Sequence, residues 1–264
     1  MTPILLLGAG RMGGAMIEGW ALTRAISPAD LIIREPQANS TVSRACDAGA
    51  RLNPPDAALA EAGTVLMALK PQIWRAAVAE VAKRLNPEAV VVSIAAGVPV
   101  GELSQVFAGH PVARVMPTTA VAIAKGVASV YSPDPAARAR AHALFDPVAT
   151  AVDLADETLI DVATAVSGSA PAYWYALIEA LEAAGEAQGL PREAAQALVR
   201  ATMIGAGALL DHSGEAPAEL RRQVTSPGGT TQAALEVLMA PDGFPRLAAE
   251  AVEAAVRRAR ELAK

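Results

Sequence analysis

The sequence predicts an α/β protein, with an N-terminal Rossmann-type doubly wound sheet over 1–155 and an all-helical domain over 156–264. Three observations carry that prediction. Short apolar runs alternate with helix-periodic segments up to about residue 150, the signature of parallel strands joined by crossover helices. The first run, Ile4–Leu7, passes directly into Gly8-Ala9-Gly10-Arg11-Met12-Gly13 at the start of a helix. After Val152 the strand signals stop, and cap residues punctuate almost continuous helix.

Taken in order, strands are expected at Ile4–Leu7, Leu31–Arg34, Val65–Leu69, Ala89–Ile94 and Val112–Met116. The intervening Met12–Thr23, Pro71–Leu85 and Gly101–Phe107 read as helices. Val127–Tyr131 and Val148–Val152, around a helix at Ala136–Leu144, extend the sheet at one edge. In the second half Gly189-Leu190-Pro191 reads as a helix stop followed by proline at the first position of the next helix. Two long helices, Tyr173–Leu190 and Ala194–Leu210, flank that break. The first is apolar over more than one stripe, and Ala201–Leu210 carries no charge. A helix apolar around most of its circumference is buried on more than one side. Either it is central within its own chain or a second subunit supplies part of the cover.

Composition narrows the function. Hydrophobic residues make up 53% of the 264 but aromatics only 3%, so the core is built from Ala, Val, Leu and Ile. A net charge of −5 and the lack of any Lys/Arg-rich run argue against nucleic acid as a partner. The single cysteine, Cys46, and three scattered histidines leave no disulfide and no metal-ligand spacing. Mean hydropathy is +0.31, yet the longest uncharged stretch, Val162–Ile178, contains Ser167-Gly168-Ser169 and Pro171 and is shorter than the ~20 apolar residues of a membrane span. No basic segment precedes Ile4–Leu7 as it would in a signal peptide. A cytoplasmic protein acting on a small molecule is expected.

Gly8 to Gly13 match G-x-G-x-x-G in the context that the dinucleotide fingerprint requires. The first glycine turns the chain, the second lets a pyrophosphate approach backbone amides, and the third permits close helix–strand packing. Glu35 lies 22 residues after Gly13, near the ~20 expected of a carboxylate that bonds the ribose diol of NAD, while Arg34 beside it suits the 2′-phosphate of NADP. The two residues leave that choice open. Leu69-Lys70-Pro71 and Ser93-Ile94-Ala95-Ala96-Gly97 close later strands, where ligands of open parallel sheets gather, and Ala96 and Gly97 leave room for a flat ring.

A second motif, Ser226-Pro227-Gly228-Gly229-Thr230-Thr231, opens a helix with two glycines and three hydroxyls. Unshielded N–H groups at a helix start attract an anion such as a carboxylate, although the same string also serves as a Pro-Gly turn with Ser/Thr capping.

Together with Arg114-Val115-Met116-Pro117 and Ser167-Gly168-Ser169-Ala170-Pro171-Ala172-Tyr173, these motifs resemble the pyrroline-5-carboxylate reductase family over essentially the whole chain. That resemblance implies reduction of the C=N bond of 1-pyrroline-5-carboxylate to L-proline, usually with NADPH. It also implies a Rossmann domain and a helical dimerisation domain, with homodimers often assembled into decamers. By the same resemblance the backbone of Gly229 and Thr230, with Ser226 and Gly228 nearby, holds the substrate carboxylate, and the Thr231 hydroxyl bonds the ring nitrogen. Two departures stand out. The family's Asn-Thr-Pro after Met-Pro is here Thr118-Thr119-Ala120, so any role of that Asn is lost or passed to Thr118, and Ala170 replaces a usual glycine.

The chemistry of the second half agrees independently. No lysine lies between Lys125 and Lys264, and His212 is the only histidine after His142. A 3-hydroxyacid-type dehydrogenase, the nearest alternative, needs such a residue to move the hydroxyl proton. An imine that is already protonated requires mainly orientation and a carboxylate anchor. A non-catalytic nucleotide-binding scaffold, the other alternative, has no use for Ser226–Thr231.

Overall fold

The computed structural model describes residues 1–262. The chain divides into two compact units, 1–168 with the segment from Val256 onward, and Ser169–Ala255.

In the first unit, β1 (Ile4–Leu7), β2 (Leu31–Arg34), β3 (Arg51–Leu52), β4 (Thr64–Met67), β5 (Val90–Ser93), β6 (Val112–Pro117), β7 (Gly126–Tyr131) and β8 (Ala149–Asp153) form one sheet in the order 3-2-1-4-5-6-7-8. Pairing is parallel except between β6 and β7, where Met116 faces Ser129 and Val115 faces Val130 in an antiparallel ribbon. β8 then returns parallel to β7, so the extension expected at one edge is present. Most of β1, β2, β4 and β5 is buried on both faces, which is why they read as unbroken apolar runs rather than alternating ones.

Helices cover both faces. On one side α1 (Arg11–Thr23), α2 (Ser40–Asp47) and α5 (Pro135–Phe145) bury Met16, Trp20, Val42 and Leu144 against Leu6, Ile33 and Val92. The Trp20 indole N–H donates to Leu144 O at 2.8 Å and ties α1 to α5. On the other side α3 (Trp74–Ala82) and α4 (Val100–Val106) bury Trp74, Val78 and Leu103 against Leu5, Val65 and Val91. α3 begins later than Pro71 because Lys70–Ile73 first closes a turn, with Ile73 N donating to Lys70 O.

A short α6 (Leu159–Ala163) runs into a π-helical turn at Thr164–Gly168. There the hydroxyls of Thr164 and Ser167 donate to the carbonyls four residues back, a contact that loosens a helix.

The second unit contains α7 (Ala170–Ala187), α8 (Arg192–Ser213), α9 (Pro217–Gln223) and α10 (Thr230–Leu238), and most of α11 (Phe244–Leu262). Gly189 at φ +95° stops the helical run before Pro191, as its sequence predicts. Within residues 169–255 only Glu182 and Ala195 are buried in the isolated chain. Trp174 is 56% and Ile204 73% exposed, so these helices do not close a core of their own. Among the described residues no helix is long and apolar enough to cross a membrane.

Candidate functional site

The order 3-2-1-4 places the carboxyl end of β1 at the point where successive strands are laid down in opposite directions, which opens a crevice above the sheet. The glycine turn fills that position. Gly8 adopts φ +88°, and a Cβ there would approach Ala68 O to 2.8 Å, so only glycine fits between β1 and β4. A Cβ on Gly13 would overlap the carbonyl oxygen of Gly8. Gly10 caps α1, no side chain among the described residues satisfies the first-turn N–H groups, and a Cβ on Gly10 would meet nothing within 4 Å. Open space on that side, unshielded amides and the positive end of a 13-residue helix suit a pyrophosphate. Ala9 is buried within the turn, while Arg11 is exposed and Met12 half-buried at the start of α1.

Just beyond β2 the two candidates that the sequence left open are separated. Glu35 turns to the glycine loop, where its Oε2 accepts from Ala9 N at 2.8 Å and its Oε1 from Gln37 N at 3.0 Å. Arg34 turns away and donates to Asp56 Oδ1 at 2.7 Å, and Asp56 also pairs with Arg84. Two asparagines missed by the sequence reasoning frame this corner. Asn53 accepts from Glu35 N at 3.1 Å and donates to Glu35 O at 2.8 Å. Asn39 donates to Ala9 O at 2.9 Å while its Oδ1 caps α2 through Thr41 N and Val42 N. Asn53 sits at φ +44° before Pro54-Pro55, and an asparagine ahead of prolines was the available signal, since Asn tolerates that conformation.

Leu69-Lys70-Pro71 and Ala95-Ala96-Gly97 occupy the carboxyl ends of β4 and β5. Leu69 and Pro71 are half-buried and Lys70 is exposed. Ala95 is buried, its N–H bonded to Ser93 Oγ at 3.2 Å, while Ala96 is exposed and Gly97 turns at φ +72°. The loop is anchored from below. Glu157 Oε1 accepts from Val100 N at the start of α4 and from Arg114 Nη1, which is buried on β6. Thr118 is buried too, and its hydroxyl accepts from Val127 N at 3.0 Å to close the β6–β7 ribbon.

In the second unit, Ser226–Thr231 forms a turn that feeds α10. Gly228 takes φ +69°, Gly229 N donates to Ser226 O at 3.0 Å, and Gly228 N donates to Gln232 Oε1 at 2.8 Å. Two amides of the motif are thus consumed in shaping it. Gly229 is the N-cap and brings no capping side chain, so among the described residues the N–H groups of Thr230 and Thr231 meet no acceptor. Ser226 and Thr230 are exposed and Thr231 is half-buried. A nine-residue helix headed by two unpaired amides and flanked by hydroxyls is equipped to receive a carboxylate.

The same unit holds an apolar groove of about 880 Å³ between α7 and α8, lined by Trp174, Tyr175, Ile178, Ile204 and Leu210. Its floor carries the Glu182–Arg200 ion pair at 2.8 Å.

Comparison with known proteins gives the same division of labour. Residues 3–97 match the family model "NADP oxidoreductase coenzyme F420-dependent", and residues 157–262 match "Pyrroline-5-carboxylate reductase dimerisation". A pyrroline-5-carboxylate reductase of Pseudomonas aeruginosa is 38% identical, the alignment covering 100% of this chain and 98% of that one. One from Synechocystis is 35% identical, covering 98% and 97%. Among solved structures, a pyrroline-5-carboxylate reductase from Coxiella burnetii superposes with a TM-score of 0.91 at 27% identity, covering 100% of this chain and 99% of that one. The Plasmodium falciparum enzyme, solved with NADP bound, gives 0.84 at 26% identity, with 100% and 98% covered. The chain belongs to the pyrroline-5-carboxylate reductase family.

Proposed function

We propose that this protein reduces 1-pyrroline-5-carboxylate to L-proline, the last step of proline biosynthesis, with NADPH and with NADH as a second cofactor of the same groove. The observation that carries the reading is the start of α10, where the N–H groups of Thr230 and Thr231 lack acceptors among the described residues and three hydroxyls lie in the same short motif.

In the first unit the amides of Gly10 to Gly13 hold the pyrophosphate, and Gly8, Ala9 and Glu35 border the adenosine ribose. Leu69, Lys70, Pro71, Ala96 and Gly97 line the path toward the nicotinamide. When bound, the reduced nicotinamide supplies the hydride. In the second unit the amides of Thr230 and Thr231, with Ser226, hold the carboxylate. Because Gly229 N–H is spent on Ser226 O, Gly229 contributes the shape of the helix start rather than a donor. Thr231 Oγ1 hydrogen-bonds the ring nitrogen and orients the C=N carbon. No general base is required, since the imine is protonated before it accepts hydride, and this fits a helical half without lysine before Lys264.

The protein is a homo-oligomer, as its dimerisation family implies. In the finer reading a second copy covers the exposed faces of α7 and α8, and such dimers assemble into decamers. The working domain limits are 1–155 and 156–264, and the proposed compartment is the cytoplasm. The test is to follow oxidation of NADPH and of NADH by the purified protein with pyrroline-5-carboxylate, identifying proline as product. Failure of both cofactors to yield proline overturns the assignment.

A further inference from the structure

We propose that Arg114 and Glu157 are positioning residues of the reductase reaction: their ion pair fixes the α4 end of the loop over 94–99, and with it the side of the groove that meets the nicotinamide, to the detriment of the stability of the sheet. The inference rests on the reaction proposed above and gives a task to two residues that act through this loop rather than on the reacting atoms.

The loop is pinned at both ends. At its start Ile94 N donates to Met67 O at 3.0 Å and Ala95 N to Ser93 Oγ at 3.2 Å. At its end Pro99, the N-cap of α4, brings no capping side chain, and Glu157, 57 residues beyond Val100, supplies the acceptor instead: its Oε1 takes Val100 N at 2.8 Å. The same oxygen accepts from Arg114 Nη1 at 3.1 Å, so the arginine sets where that acceptor stands. The adjacent carboxylate, Asp156, is turned to Thr158 N and Thr158 Oγ1. Between the two pins the chain turns through Gly97 at φ +72° and leaves Ala96 exposed. A displacement at Val100 is therefore passed to the two residues that border the nicotinamide path.

Arg114 is an unfavourable occupant of its place. On β6 it lies between Ala113 and Val115, both buried, and is paired in register with Ser93 of β5 and Tyr131 of β7, its own side chain only 6% exposed. Among the described residues its Nε is buried without a hydrogen-bond partner. Leaving a buried donor unpaired is unfavourable, and exchanging a buried ion pair for apolar residues of similar volume is often neutral or stabilising. Stability of the strand thus does not account for the arginine. What the pair does supply is a fixed acceptor for Val100 N, in a setting where a misplacement of ~1 Å lowers a rate by up to ~100-fold.

The test sets stability against positioning. In Glu157→Gln one side-chain oxygen still accepts from both Val100 N and Arg114 Nη1, but the counter-charge of a buried arginine is gone, so Tm should fall while most of kcat is retained. The double variant Arg114→Met with Glu157→Leu removes the buried charge and the acceptor together. Its Tm should equal or exceed that of wild type while kcat with pyrroline-5-carboxylate falls about tenfold or more, and Kd for NADPH, held at the glycine turn, stays near the wild-type value. A readout on the cofactor-free oligomer accompanies these: amide exchange over 94–103, which includes Val100 N–H, should quicken about tenfold at one site in the double variant, the loss of one hydrogen bond, and little in Glu157→Gln. A kcat that follows Tm across the variants, a double variant that fails to fold, or unchanged exchange in the double variant overturns the proposal and leaves the reductase assignment intact. Wild-type protein that yields no proline with either cofactor refutes that assignment, and the positioning role falls with it.

Discussion

Exchanging Gly13 for alanine adds a single methyl group, and its consequence can be worked out from the glycine turn. An ideal Cβ at Gly13 overlaps the carbonyl oxygen of Gly8 and lies 3.4 Å from Ala68 Cβ. The overlapped atom is backbone, and Gly8 is itself wedged at φ +88° against Ala68 O, so no side-chain rotation relieves the clash. Either α1 lifts from the sheet or the turn shifts, and both displace the amides that receive the pyrophosphate. Overpacking of this kind costs ~1 to 3 kcal/mol. If most of that is expressed at the cofactor site, Kd for NADPH rises between about fivefold and 150-fold, at ~1.4 kcal/mol per factor of ten. Gly14→Ala is the built-in control. Its Cβ would meet only Ala9 O, at 3.5 Å, and replacing glycine within a helix stabilises by ~1 kcal/mol. Cofactor titration with circular dichroism on both variants should show weakened binding and a lower Tm for Gly13→Ala, and near-wild-type binding for Gly14→Ala. Equal Kd values for Gly13→Ala and wild type would refute the proposed packing of the turn.

Thr231→Val keeps the β-branched shape and removes the hydroxyl, so kcat/KM for pyrroline-5-carboxylate should fall about tenfold, a hydrogen bond of ~0.5 to 1.5 kcal/mol or more when charge-assisted. NADPH affinity should hold, and wild-type turnover would reduce Thr231 to a helix-start residue. Ile204→Glu places a charge in the apolar groove between α7 and α8, and light scattering should show smaller species that retain circular dichroism; an unchanged mass would remove this face from the interface. His142 accounts for a pH effect. Its ring bonds Asp153 and Asp146, and those two hydrogen bonds, Asp153 foremost, raise its pKa despite partial burial. A raised folded pKa stabilises fully below the unfolded value of ~6.5 and the benefit is lost as pH climbs through the folded value. The Tm advantage of wild type over His142→Gln should therefore shrink from pH ~5.5 to pH ~8.5, and a constant difference would show that the carboxylates do not act on the ring.

Most of the sheet was legible because its strands are buried on two faces and bounded by turn residues, as at Ile4–Leu7 before Gly8 and Val90–Ser93 before Ala95. The edge was harder to read. β3 spans only Arg51–Leu52, both half-buried, too short for any periodicity, and α2 escaped because its apolar face amounts to Val42 and Ala45 under an Asn39 cap. The glycine turn could be placed to the residue, since only covalent geometry was needed. The partners of Glu35 and Arg34 could not, because Asn53 and Asp56 reach them across 18 and 22 residues of chain, and spacing alone does not say which way a side chain turns. At Ser226–Thr231 the sequence located the helix start correctly, but only the backbone trace shows that Gly229 N–H is occupied by Ser226 O and that the open donors begin at Thr230.

The three tryptophans give the molecule its own optical labels. Trp20 is sealed on the α1–α5 face of the sheet, Trp74 on the α3–α4 face beneath the Arg75 guanidinium, and Trp174 stands exposed in the apolar groove of the helical unit. Indole emission moves to shorter wavelength as water is excluded, so Trp174 in the separated chain should emit at the red end while the other two emit at the blue end. Covering α7 and α8 would turn the red component blue, and melting the sheet would turn the blue components red. Opposite spectral displacements thus separate loss of assembly from loss of fold. Double Trp→Phe replacements that leave one indole at a time would assign each change to its own compartment.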